Sequence, residues 1–370
     1  MSVPPFVRDL NPTVIPGFST EDQLRALTRY NAGVEAILGA IDTPVGETPS
    51  EVAWTLNKAK LIHYLPTRPE SERHPVPLLL VYALINKTFI FDFGPGRSFV
   101  EYMVGEGFDV YLLDWGAPAA EDRSTSFDDY ATKYLARAVR KVLRHSGAAQ
   151  FSMLGYCLGA NIALIYAALH PEVPLRNLIL LTVPADFSAA PEGSMAMWLE
   201  KERLDVDKML ETWDNIPGEL IRFWAKMLKP VENFVASYVN LYKYLDNPAF
   251  VQAWKSVSRW VEDVIPFAGA AMRQFVVDYV RNNELVTGRH YVDGQRLDLS
   301  QIRAALLNVC AQYDHLVSRA QAEPVMDLVS STDKEFRVLP STHVGLMSNV
   351  SARQSYWPGI AEWLGARSGK

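Results

Sequence analysis

From residue 77 onward, short continuous apolar runs alternate with longer segments of helical period, and the alternation stops once, over residues 184–299, before it resumes. Runs that are apolar on every position, rather than on alternate ones, are how strands covered on both faces of a parallel sheet read. The pattern predicts strands over 78–84, 108–114, 151–154, 175–183, 304–311 and 336–339, and helices over 96–105, 126–145, 162–169, 320–328 and 356–364. In the 126–145 segment Tyr130, Tyr134, Leu135, Val139 and Val142 fall on one face. Between 184 and 299 no strand signal recurs. That stretch is rich in aromatics and Met, and it holds five of the nine tryptophans: Trp198, Trp213, Trp224, Trp254 and Trp260. Phe223, Phe234, Tyr238, Tyr242, Phe250, Phe275 and Tyr279 accompany them, and most of these aromatics are expected to form the segment's own core.

Ahead of the alternation, Thr20 with Gln23 has the spacing of a capping box, followed by Leu24, Leu27, Val34, Ile37, Leu38 and Ile41 at helical intervals. Pro44, Gly46 and Pro49 punctuate the chain, a second helix is expected from near Ser50, a short strand over 61–65, and a polar loop over 67–75. The division that follows is an N-terminal helical brace with a first strand (1–76), a core in two pieces (77–183 and 300–370), and a helical cap (184–299). An open α/β sheet tolerates such an insertion over the carboxyl edge of its strands.

Composition narrows the class. A chain of 370 residues, 49% hydrophobic and 21% charged, has enough apolar surface for one large domain with an insertion. A net charge of -6 without Lys/Arg clusters excludes a nucleic-acid partner. Two cysteines, Cys157 and Cys310, are too few for a disulfide framework, and Met1-Ser2-Val3-Pro4-Pro5 lacks the basic and apolar regions of a signal peptide, so a reducing cytoplasm is expected. No apolar run reaches the ~18 residues of a membrane-spanning helix.

The chemistry concentrates at Leu154-Gly155-Tyr156-Cys157-Leu158-Gly159-Ala160-Asn161, between a predicted strand and a predicted helix. A nucleophile on such a turn is held at a strained backbone angle, and glycines two residues before and after it relieve the crowding. The helix that opens at Leu158 points its positive end at Cys157, which favours a thiolate. On this scaffold an acid follows a late strand and a histidine the next one. Asp314 and His343 occupy those places. With the strand and helix order, they identify an α/β-hydrolase fold with a mostly parallel central sheet and a large helical cap. His343 is the expected general base and Asp314 its orienting partner, with no metal required. The oxyanion hole is expected from the N–H of Leu158 and a second donor in the loop after the first core strand, Ala83. His315 is either a second proton carrier or a polar neighbour. His63, His74, His145, His170 and His290 read as structural, and Cys310 as a small buried hydrophobe.

A thiol nucleophile favours acyl transfer from a thioester, because exchange of one thioester for another keeps the acyl group activated for a later hydroxyl acceptor. The residues also carry a resemblance. Val81-Tyr82-Ala83-Leu84, Pro95-Gly96-Arg97-Ser98, Gly107-Phe108-Asp109-Val110-Tyr111, Asp114-Trp115-Gly116, Asp128-Asp129-Tyr130, Arg273-Gln274-Phe275, Asn283-Glu284-Leu285 and Gln312-Tyr313-Asp314-His315-Leu316-Val317, together with the cysteine elbow, resemble polyhydroxyalkanoate synthase catalytic subunits of the short, class III kind, over about residues 48–364. That resemblance implies that Cys157 carries the growing chain, that His343 is the base, and that Asp314 helps activate the incoming hydroxyl or orients the base. It implies an (R)-3-hydroxyacyl-coenzyme A substrate, no cofactor beyond the coenzyme A released as product, a companion synthase subunit, a homodimer through the cap, and a cytoplasmic protein associated with polyester granules.

The family's elbow reads Gly-x-Cys-x-Gly-Gly, and Ala160 stands where its last glycine is expected. Leu158 replaces a polar residue, and Ser341-Thr342-His343-Val344-Gly345 is near but not identical to the family's Gly-His-x-Gly. Two other functions share these residues: a thioesterase or esterase, in which water resolves the acyl-enzyme, and a non-catalytic granule-binding scaffold. An apolar cap that excludes water favours the polymerase over hydrolysis.

Overall fold

The computed structural model describes residues 19–190, 194–200 and 202–369. Helix α1 spans Thr20–Leu38, and its N-cap is Ser19, whose hydroxyl accepts from the Asp22 N–H at 3.1 Å. The side chains of Thr20 and Gln23 lie outside the described set, as does the N-terminal segment read above for a signal peptide.

The second expected helix is a strand. Residues Ser50–Leu56 form β1 and pair antiparallel with β2, Ala59–Tyr64, through a two-residue turn in which Asn57 takes a φ of 53°. Val52, Trp54 and Thr55 favour extended backbone, and an Asn at positive φ suits a tight hairpin turn. Both signals outweigh the helical spacing of the few apolar positions there.

The remaining strands are β3 (Leu78–Val81), β4 (Val110–Asp114), β5 (Phe151–Tyr156), β6 (Leu175–Leu181), β7 (Ala305–Ala311) and β8 (Lys334–Leu339). They form one eight-stranded sheet in the order β1-β2-β4-β3-β5-β6-β7-β8. All pairings from β4 to β8 are parallel, and β2 joins β4 antiparallel. β3 and β5 are buried at every position, which is why their sequences do not alternate.

Helices cover both faces. α2 (Phe99–Gly105) is capped by Ser98. α3 occupies 127–146 and passes through one π-helical stretch, Tyr130–Leu135. α4 (Leu158–Leu169) is buried along its whole length against the sheet. The expected helix at 320–328 is broken by Pro324 into Arg319–Ala322 and Val325–Leu328, since proline cannot donate within a helix. The chain closes with α5, Trp357–Gly365.

Residues 184–299 are mostly helical, with two short ladders that the sequence pattern did not signal: Asn215–Ile216 with Phe267–Ala268, and Tyr291–Val292 with Gln295–Arg296. Trp260, Phe275 and Tyr279 are buried, whereas Trp213, Phe223, Phe234, Tyr238 and Tyr242 are exposed. The expectation that most of these aromatics make an internal core therefore fails for the face around residues 223–242. Two of the places where this segment is tied to the core involve buried residues. Next to the loop after β3, the Trp260 indole donates to the Lys87 carbonyl at 3.0 Å and the Ile265 N–H to the Ile85 carbonyl at 3.2 Å. At the start of α3, the buried Asp128 carboxylate accepts from Gln274 at 2.6 Å and from the Tyr279 hydroxyl at 2.8 Å, and it faces His290 at 3.1 Å. Burial by itself pulls the His290 imidazole down, but Asp128 and then Glu284, 3.0 Å from its other nitrogen, hold it above its usual value.

Candidate active site

Cys157 sits between β5 and α4 with φ 56° and ψ -126°, a conformation that non-glycine residues rarely hold and that clusters at functional sites. Packing enforces it. A Cβ added to Gly155 would meet the Ala160 Cα at 2.5 Å, and one added to Gly159 would meet the Val81 carbonyl oxygen at 2.3 Å. Both glycines are thus required by close backbone approach, and Gly155 is what lets the backbone of Ala160 lie flush against the turn. Ala160 itself is fully buried. Cys157 remains partly exposed and is the N-cap of α4, where its carbonyl accepts from the Ala160 N–H at 2.8 Å.

His343 follows β8, and its side chain is almost wholly buried. Its Nδ1 donates to Asp314 Oδ2 at 2.7 Å, and the Cys157 side chain lies within its electrostatic reach. The Asp314 side chain has no exposure. Its other oxygen accepts the N–H groups of Leu316 at 2.8 Å and Val317 at 2.9 Å, an arrangement set by the tight turn after β7. Burial alone would lower the His343 imidazole and raise the Asp314 carboxyl. The mutual attraction of the pair outweighs both effects: His343 is pushed up to about 10, with Cys157 adding to the Asp314 contribution, and Asp314 is held below the usual carboxylate range by His343 and by the two backbone donors.

Tyr156, the residue before the nucleophile, was not singled out by sequence. Its hydroxyl donates to the His343 carbonyl at 2.6 Å and its ring stacks on the imidazole with centroids 5.6 Å apart. Tyr82 and Phe91 pack on the far side of Tyr156 at 5.5 and 6.0 Å. The signal that marks Tyr156 is its place in a strand that ends on the nucleophile, but its partner lies 187 residues away. No local pattern reports that pairing.

Leu158 is the first residue of α4, and Ala83 lies two positions past β3, beside the Val81 and Tyr82 carbonyls on which Gly159 rests. Both expected oxyanion donors are therefore on segments that meet at Cys157. His315 is partly buried, and burial, then the nearby positive Lys229, draw it below its ordinary value. Asp314 and His343 lie within its electrostatic reach, as does Glu232 from the cap. Cys310 is buried within β7, where burial raises its thiol to about 11. His63 lies on β2 and His290 in the loop before the Tyr291–Val292 strand, and each places both ring nitrogens beside carboxylates.

Two family descriptions match the chain: the alpha/beta hydrolase fold over residues 77–350 and the poly-beta-hydroxybutyrate polymerase N-terminus over residues 35–103. The poly(3-hydroxyalkanoate) polymerase subunit PhaC of Allochromatium vinosum is 34% identical over 350 residues, which cover 94% of this chain and 97% of that protein. The Haloferax mediterranei subunit of the same name is 34% identical over 348 residues, 94% of this chain and 70% of that one, and the Synechocystis subunit is 30% identical over 347 residues, 92% and 90%. Among solved structures, the monoacylglycerol lipase of Paleococcus ferrophilus superposes with a TM-score of 0.50 at 16% identity, covering 80% of this chain and 96% of the lipase, a likeness of fold alone.

Proposed function

The chain belongs to the poly(3-hydroxyalkanoate) polymerase family and is a polyester synthase, and from that premise we propose that it polymerises (R)-3-hydroxyacyl groups through a covalent thioester on Cys157. The observation that carries the mechanism is the strained Cys157 elbow within electrostatic reach of a histidine pinned by Asp314 at 2.7 Å.

His343 takes the Cys157 thiol proton, and the sulfur attacks the acyl carbon of the coenzyme A thioester. The C–S bond to coenzyme A breaks, and the leaving thiolate recovers the proton from His343. The hydroxyl end of the growing chain then loses its proton to His343 and attacks the Cys157 thioester. A C–O ester bond forms, the C–S bond to Cys157 breaks, and the proton returns to the sulfur. The N–H groups of Leu158 and Ala83 stabilise the oxyanion in both halves. Asp314 acts as the positioning partner of His343 in this scheme, since both of its oxygens are already engaged and its side chain has no exposure. His315, which burial and then Lys229 draw below its ordinary value, lies within electrostatic reach of Asp314 and His343 and is the candidate second proton carrier.

The exposed apolar face of the cap, Phe223, Val231, Phe234, Val235, Tyr238 and Tyr242, supports a contact with a second subunit, either the companion synthase subunit or a second copy of this chain. An insoluble polyester product places the enzyme at the granule surface. No helix among the described residues is long and apolar enough to cross a membrane.

Incubation of the purified protein with 3-hydroxybutyryl-coenzyme A is expected to release free coenzyme A and leave insoluble polyester. The Cys157→Ser variant is expected to lose most turnover while remaining folded. Free 3-hydroxybutyrate as the sole product would replace the polymerase mechanism with hydrolysis, and unchanged turnover in the variant would remove Cys157 as the nucleophile.

A further inference from the structure

At the end of the sheet opposite the elbow, where α3 finishes and β4 begins, two imidazoles and a carboxylate converge. His63 on β2 presents Nδ1 to Glu51 Oε1 of β1 at 3.1 Å, and His145, in the last turn of α3, places Nε2 3.8 Å from the same oxygen. The three potential ligand atoms all lie within 4.8 Å of one another. Bonds of about 2.0–2.1 Å to a tetrahedral ion put ligand atoms roughly 3.3 Å apart, so small side-chain adjustments bring these three onto one centre.

The opposite edges of both rings are already held. Nε2 of His63 lies 2.8 Å from Asp109 Oδ1, and Nδ1 of His145 lies 2.9 Å from the Tyr111 hydroxyl. Read as donors, the two outer N–H groups give to the Asp109 carboxylate and to the Tyr111 hydroxyl oxygen. That fixes the tautomers that turn a bare nitrogen toward Glu51 on each ring, and an outer partner of this kind is the usual companion of a ligating histidine. Ring contacts hold the geometry: His63 stacks on Tyr111 at 4.6 Å, and His145 meets His63 edge-on at 4.9 Å. Glu51 and His145 are exposed, so an ion reaches the site from solvent, and water can complete its coordination.

We propose that Glu51, His63 and His145 form a binding site for a divalent transition-metal ion, zinc foremost. Imidazole with carboxylate suits zinc, cobalt and nickel rather than the all-oxygen shells of calcium and magnesium. The ion joins the β1–β2 hairpin to the end of α3, so it braces the antiparallel margin of the sheet and takes no part in the chemistry at Cys157. The inference stands apart from the proposed mechanism.

Full-length protein, freed of metal with a chelator, is titrated with zinc chloride by calorimetry and with cobalt(II) by visible absorption. About one ion per chain is expected, with a cobalt spectrum of nitrogen and oxygen ligation and no sulfur-to-cobalt charge-transfer band. Affinity should fall about tenfold or more in Glu51→Gln and in His145→Ala, both at exposed positions that leave the fold intact, and about tenfold in Asp109→Asn through the outer contact. Zinc should raise the melting temperature of the wild-type protein and not that of the Glu51→Gln/His145→Ala double variant. Absence of saturable uptake, uptake that survives the double variant, or a sulfur-ligated cobalt spectrum would each overturn the proposal.

Discussion

Replacing Asp314 with Asn tests how His343, the proposed base, is set. In the native site one carboxylate oxygen accepts from the N–H groups of Leu316 and Val317, so an Asn must keep its carbonyl oxygen there and turn its amide toward His343. That amide donates, and it meets a ring nitrogen that also donates in the native site at 2.7 Å. The ring escapes the clash by moving its proton to the nitrogen that faces Cys157, and the base disappears from the side where it is needed. The energetic scale follows from the imidazole. The gap between its ordinary value of 6.5 and about 10 corresponds to roughly 5 kcal/mol of preference for the protonated ring, shared between Asp314 and Cys157. Losing the larger part of it, together with the correct tautomer, is expected to lower kcat/KM by about 10² to 10⁴. Coenzyme A release measured with a thiol-reactive dye gives the rate, and circular dichroism checks the fold. The variant's acylation rate should climb with pH toward the range in which an unassisted thiol ionises, about 8.5, whereas the wild-type rate has no need of that ionisation. A rate within about threefold of wild type at pH 7 would refute the assignment of Asp314 as the partner that orients His343.

Four further outcomes are expected. Tyr156→Phe removes the hydroxyl that holds the His343 carbonyl at 2.6 Å, and should cost about 1–2 kcal/mol in urea unfolding and about tenfold in kcat with KM little changed; a loss of stability without a loss of kcat would make Tyr156 merely structural. Ala160→Gly, which restores the family's residue, should destabilise α4 by about 1 kcal/mol and preserve turnover, because Gly155 already provides the clearance at the elbow; a rise in stability would contradict this. Asp128→Asn takes the negative charge from the buried contact with His290 and should cost about 2 kcal/mol, with hydrogen exchange quickening at 275–290; unaltered exchange there would show that Asp128 does not hold the cap. Because His343 is raised in the folded state, its stabilising contribution is full below about pH 6.5 and fades as pH rises through about 10, so the stability difference between wild type and His343→Gln should shrink across that window; a constant difference would refute the raised value.

Much of this protein is local, and local features are legible in sequence. The glycines at 155 and 159 report a turn too tight for side chains, the unbroken apolar runs report strands covered on both faces, and the positions of Asp314 and His343 after successive strands report the order in which the sheet delivers them. The strand at Ser50–Leu56 is also marked locally, by its β-forming residues and the Asn57 turn, but in so short a segment the helical and extended periods are hard to tell apart. Other features depend on partners far along the chain. Tyr156 supports His343 across 187 residues, Asp128 and His290 meet across 162, and His63 acquires Asp109 and Tyr111 only when β2 pairs with β4. Spacing along a chain records what a residue does to its own backbone. Which distant charge or hydroxyl completes a buried side chain is decided by packing, since the cost of leaving a buried polar group unpaired is assessed only once the layers have closed on it. The candidate nucleophile is therefore marked in eight residues, and the groups that hold His343 in place are set by the fold.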